Sequence, residues 1–245
     1  MAILVPASGC VPLPACASEE SVLPDPQPLA SRLHPLIAKS QAGEDLRRYF
    51  GIGQPADAAS FTGRRFEQLA GGGDRPAVAN VVTADDLIAL QTLSVMIPAQ
   101  GALDLLEGPL GLQLSELLHE IPNHLDMADA DACDLAPESP ADAAWQLLTS
   151  QPGIGWVTAG KLLARKRPRL LPVYDQVVRC ILGRPTSFWL DLHSALRADD
   201  RALHHELLAL RRSARVPDTV SALRICDVVL WMRHRGEHRT ADCIV

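Results

Sequence analysis

Apolar residues recur along most of this chain at intervals of three and four, the period of a helix with one buried face, and rarely alternate one by one as they would in a strand. The spacing predicts helices at about 44–50, from Thr83 onward, and at 101–107, 112–119, 140–150, 157–166, 173–182, 187–198, 200–211 and 219–233. Two starts carry their own signals. The Thr83 hydroxyl can cap a helix whose first turn holds Asp85 and Asp86, and Ser139-Pro140 pairs an N-cap with a proline at the first helical position. The last stretch, VSALRICDVVLWM, is apolar nearly all round and so predicts a central buried helix, with Arg224 and Asp227, three apart, as a paired charge in the core or at its edge. FTGRRFEQL at 61–69 follows a Gly/Pro-marked loop, and GGGDRP at 71–76 reads as a flexible connection. Residues 1–28, with six prolines, read as an extended arm. No stretch suits a sheet, so the fold expected is all-α: a Pro-rich arm over 1–28, an N-terminal helical subdomain over 29–138 and a second helical subdomain over 139–245.

At 245 residues, 47% hydrophobic and 21% charged, the chain can bury a core without disulfide staples. No window approaches a membrane span, and Pro6, Pro12 and Pro14 interrupt the opening apolar run that a signal peptide would need, so a cytoplasmic protein without a membrane partner is expected. The six cysteines are scattered with no C-x-x-C, which predicts free thiols and neither metal nor cofactor. The acidic loop at 126–138 lacks the glycine and the terminal glutamate of a calcium loop.

The net charge of −6 divides unevenly. Residues 1–160 carry 7 basic and 20 acidic side chains, residues 161–245 carry 16 and 9. The densest basic run, Lys161, Arg165, Lys166, Arg167, Arg169, Arg179 and Arg184, faces one acid, Asp175. Such a run is either a solvated face or a track for a polyanion.

It begins beside the segment with the clearest chemistry. In Gln151-Pro-Gly-Ile-Gly-Trp-Val-Thr158, Gly153 and Gly155 can turn the backbone tightly between two helices around Ile154, leaving the amides of the second helix open to a phosphate. Thr158 and Lys161 can add a hydroxyl and a charge, and Arg165, Lys166, Arg167 and Arg169 extend the candidate nucleic-acid contact. The same residues also suit a plain helix-helix turn.

This segment resembles the hairpin of the helix-hairpin-helix DNA glycosylases, whose pattern L-P-G-[VI]-G-x-x-T-A is matched from Pro152 to Ala159. That superfamily carries an aspartate in a pattern like V-D-T-H-V, and Asp175 stands twenty residues after Gly155 in Val173-Tyr-Asp-Gln-Val177. The resemblance covers roughly residues 145–184, and the helical flanks also resemble an uncharacterised bacterial protein family. It implies a glycosylase-like helical fold, a phosphate-binding hairpin in the 139–245 subdomain and a catalytic carboxylate at Asp175. Three departures limit it. Val157 stands where bifunctional members carry a Schiff-base lysine, Gln176-Val177 replaces Thr-His, and the C-terminal cysteine cluster of some members is absent.

The function expected is therefore a monofunctional N-glycosidase, without lyase activity, cleaving a base-sugar bond in DNA or another nucleic acid. Ionised Asp175 would stabilise positive charge developing on the sugar, and Tyr174, Trp156, Trp189 and Trp231 are candidate walls for the extruded base. Asp175 equally suits a helix N-cap, and each tryptophan suits a core. The alternatives are a non-catalytic nucleic-acid-binding protein that kept the hairpin, and a glycosidase for free nucleosides or nucleotides, to which the acidic N-terminal half is better suited.

Overall fold

The computed structural model describes residues 29–55, 61–183, 185 and 187–238; the expected arm over 1–28 lies outside them. Ten α-helices are described: α1 Leu29–Ile37, α2 Ser40–Phe50, α3 Ala84–Thr92, α4 Ala99–Glu107, α5 Pro109–Glu120, α6 Pro140–Thr149, α7 Trp156–Lys166, α8 Gln176–Leu182, α9 Phe188–Ser213 and α10 Ala222–His234. The described residues contain no strand, and none of their helices is long and apolar enough to cross a membrane.

The predicted starts are realised by the expected atoms. Thr83 and Asp86 form a reciprocal capping box on α3, and Ser139 Oγ accepts from Asp142 N at the head of α6. The expected helix over 173–182 is shorter, because Asp175 is its N-cap: Oδ1 accepts from Val177 N at 3.0 Å and Val178 N at 3.2 Å. The helices expected over 187–198 and 200–211 are both present within α9, separated by a kink where Ala198 turns extended and Asp199, Asp200 and Arg201 take left-handed φ values of 49°, 53° and 63°.

Helix α10 is the hub. Every residue from Ala222 to Leu230 is buried, and the helix packs on α1, α2, α8 and α9. Helices of residues 29–138 pack directly on those of 139–238 through α1 with α9, α2 with α10, α3 with α7 and α5 with α6.

Residues 61–82 contain only short 3-10 turns, Thr62–Arg65 and Leu69–Gly71, so helix ladders leave many of their carbonyls without donors. The end of α7 supplies them. Arg165 donates to Phe66 O at 2.7 Å and Leu69 O at 2.7 Å, and Lys166 to Val78 O and Val81 O, both at 2.8 Å. Arg167, just past the helix, donates to Ala79 O at 2.8 Å and Ile121 O at 2.9 Å. Asp86 balances this charge, accepting from Arg165 Nε at 3.0 Å and Lys166 Nζ at 2.9 Å. Burial pulls the Lys166 ammonium down and brings Arg167 to about 10. The GGGDRP segment is not the flexible connection expected from its glycines. Gly72 and Gly73 are buried, and a Cβ on Gly73 would lie 2.6 Å from Arg165 O and 2.8 Å from Asp86 Oδ1, so glycine here permits close approach of the backbone to the ion network.

The same irregular segment is fastened to α10. Buried Glu67 accepts from Ser221 N at 3.0 Å and from Ser221 Oγ at 2.6 Å, while Ser221 Oγ caps Arg224 N. Burial raises the Glu67 carboxyl from 4.5 to about 7, against the pull of Ser221. The folded state thus holds this proton more tightly than the unfolded chain does. Its stabilising contribution is complete below 4.5 and is lost as pH rises through about 7. Urea midpoints of the unmutated chain should therefore contain a component that declines across that window, and Glu67→Gln, which keeps the shape without the titration, should remove it. An unchanged pH profile in the variant would place the proton elsewhere.

Candidate active site

Helices α6 and α7 are joined by the turn 150–155. Gly153 adopts φ 78°, and a Cβ there would lie 2.5 Å from Pro98 Cγ, so the turn sits tightly on the start of α4. Ile154 is buried and anchors the tip. Gly155 is the N-cap of α7 with open space beside its Cα, and Thr158 follows half-buried. Residues 150–155 thus make a short turn between two packed helices, α6 and α7.

The basic run does not form the expected phosphate track. Arg165, Lys166 and Arg167 are at most 1% exposed and are spent on the carbonyls of residues 66–81 and on Asp86, Asn80 and Ile121, so they cannot reach a polyanion. Arg169 is more open and pairs with Asp126 at 3.2 Å. Lys161 turns inward, donating to Leu93 O at 3.1 Å and standing 3.3 Å from Asp175 Oδ2.

Lys161 and Asp175 open onto a cavity of about 420 Å³. Its floor is charged: Lys161 with Asp175, and Arg224 with Asp227, all within the same lining. Arg224 also donates to Gly63 O at 2.9 Å and Tyr49 Oη at 2.5 Å. Burial raises the Asp227 carboxyl to about 6, against the Arg224 guanidinium and with Asp175 adding to the rise. Two carboxylates therefore face one space under different constraints. Asp175 has a helix N-terminus on one oxygen and a lysine on the other, whereas Asp227, carried by α10, is held by the Arg224 guanidinium.

The wall is aromatic. Tyr49 and Phe61 stack with centroids 5.2 Å apart and planes 8° from parallel, and Trp231 meets both edge-on at 6.0 and 5.6 Å. Arg235 lies over Phe61 at 4.6 Å and over Trp231 at 5.1 Å. Of the four aromatic residues proposed from sequence as the base pocket, Trp231 lines the cavity. Trp156 packs on Tyr174 at 5.6 Å, Tyr174 stacks on Phe188 at 3.9 Å and donates to Gly183 O, and Trp189 packs against the core, and none of these three lines this cavity. Tyr49 and Phe61 are the residues missed. They come from elements more than a hundred residues before Asp175, and no local motif marked them.

The model for a family of unknown function, DUF6308, matches residues 42–234. The chain belongs to DUF6308. The matched span of DUF6308 contains the whole cavity, from Tyr49 to Trp231, together with the hairpin and the Asp86 network. No curated protein and no solved structure matches the chain.

Proposed function

We propose that this protein hydrolyses the N-glycosidic bond of a nucleotide unit in a nucleic acid, with the base held in the cavity of Tyr49, Phe61 and Trp231. The observation that carries the reading is the cavity that joins an aromatic wall to the Asp175–Lys161 and Asp227–Arg224 pairs. Departure of the base leaves positive charge on the sugar, which the Asp175 carboxylate stabilises, while the fraction of Asp227 that burial keeps protonated, largest below about pH 6, supplies the proton that the departing base takes up. The electron pair of the C–N bond leaves with the base, water adds its oxygen to the sugar's C1′, and the proton the water gives up returns to Asp227. The chain's phosphate contacts are assigned to the open amide end of α7 at Gly155 and to exposed Arg64, Arg65 and Arg235 near the aromatic wall, not to the basic run.

Burial of Arg165, Lys166 and Arg167 favours a second reading, a glycosidase for free nucleosides or nucleotides, since it removes most of the track a long polyanion would follow. A panel of free nucleosides, nucleotides and oligonucleotides bearing normal and damaged bases, assayed for released base, separates the two. Release from oligonucleotides, weakening steeply with added salt, supports the first reading, and release from free nucleosides alone supports the second. DNA retention at low salt with no release anywhere would leave a binding protein.

In either reading borohydride should trap no imine with an abasic sugar. Val157 occupies the position of the superfamily's lysine, and Lys161, one turn on, is tied to Leu93 O and Asp175. Trapping that disappears in Lys161→Ala would show instead that this amine attacks the sugar.

A further inference from the structure

A second chemical cluster lies outside the cavity, where α8 packs on the end of α10. His238 N donates to His234 O at 2.8 Å, extending the helical turn so that the two imidazoles, four residues apart, come to one face. Cys180, from α8, meets them there: His234 Nε2 lies 2.9 Å from Cys180 Sγ, and one donor atom from each of Cys180, His234 and His238 lies within 4.8 Å of the others. All three side chains are half-buried and reachable from solvent, Cys180 and His234 on two packed helices and His238 one turn past the end of α10. The exposed Glu237 carboxylate stands 3.9 Å from His234 Nδ1, the ring nitrogen away from the sulfur, which adds negative charge beside the cluster.

Cys180 is disulfide-bonded in this structure, a departure from the free thiol expected from sequence, whereas Cys226 is a buried free thiol. Cysteine spacing does not reveal which sulfurs helix packing brings near a partner.

We propose that Cys180, His234 and His238 bind a zinc ion when the Cys180 disulfide is reduced. One thiolate and two imidazoles suit zinc by softness, and tetrahedral bonds of about 2.0–2.3 Å set donor separations between the 2.9 Å of His234 Nε2 from Cys180 Sγ and the 4.8 Å within which all three donors lie, so His234 and Cys180 part slightly as the ion enters between them. The fourth position is left to water or another donor. A phosphine is the reductant: it breaks the S–S bond, takes oxygen from water to become the phosphine oxide, and leaves two thiols. The Cys180 thiol then releases its proton to buffer as Sγ binds zinc. The bound ion ties α8, whose N-cap is Asp175, to α10, which carries Asp227, and so would hold the two carboxylate-bearing helices together.

The test uses the full chain, reduced with a phosphine, supplied with zinc and desalted before the metal is measured. One zinc per reduced chain is expected, with the oxidised chain retaining little. Zinc affinity should fall by at least about tenfold in His238→Ala and in Cys180→Ser, with helix content by circular dichroism unchanged. Should Cys180→Ser fail to fold, cobalt(II) in the reduced unmutated chain gives an independent readout through an ultraviolet thiolate-to-cobalt charge-transfer band. A reduced chain that desalts free of zinc, equal zinc in oxidised and reduced chains, undiminished affinity in His238→Ala, or cobalt binding without that band would each overturn the site.

Discussion

Asp86→Ala should lower the folding stability by about 3–5 kcal/mol, the cost of leaving buried charge uncompensated when one member of a sealed network is removed. Asp86 is fully buried and accepts from Arg165 Nε, Lys166 Nζ and the Thr83 backbone amide, so its loss strands two cations and opens the capping box of α3 together. At this chain length such a loss lowers the melting temperature by about 10 °C. The Asp129–Arg201 pair provides the contrast: its side chains are 40% and 45% exposed, and Asp129→Ala should cost at most about 1 kcal/mol. Calorimetry of the two variants side by side decides the matter. Equal small losses would show that the carbonyls around Arg165, Lys166 and Arg167 satisfy those cations without Asp86.

The network also shows how far the sequence could be read. Helical periodicity located most of the helices because burial of one face dictates it, and the Ser139 and Thr83 caps were visible as local atoms three residues from the amides they serve. The basic run was visible too, but its direction was not. A cluster of arginines that clothes an irregular segment looks the same in one dimension as one that faces a polyanion. The distinguishing sign was the segment itself: residues 61–82 lack a sustained helical period, so their carbonyls needed donors from elsewhere. Asp175 was found through its distance from the hairpin. Its neighbours in the cavity, Tyr49 and Phe61, were not found, because nothing local links them to α7 or α10. The His234-x3-His238 spacing stood in the sequence as well, but Cys180 joins it only through the packing of α8 on α10.

Asp175→Asn should reduce base release by about 10²–10³-fold, the range seen when a preorganised electrostatic stabiliser of a transition state is removed. The substitution separates the two roles that the structure gives this side chain. An asparagine Oδ1 still accepts from Val177 N and Val178 N, so the cap on α8 persists, whereas the negative charge facing Lys161 and the sugar is gone. Lys161 keeps its bond to Leu93 O and borders the open cavity, so the fold should survive with a lowered urea midpoint. Asp175→Ala loses the cap as well and should cost roughly 1 kcal/mol more in stability, with a similar loss of activity. Turnover should therefore follow the charge and stability the cap. Rates measured on folded protein, with denaturation midpoints for both variants, read the two effects independently. If Asp175→Asn retains turnover within a fewfold of the unmutated chain, Asp175 is an N-cap and ion-pair partner only. Asp227 would then be the one carboxylate lining this cavity left to stabilise the sugar's charge, and Asp227→Asn the variant that decides whether the cavity is the active site.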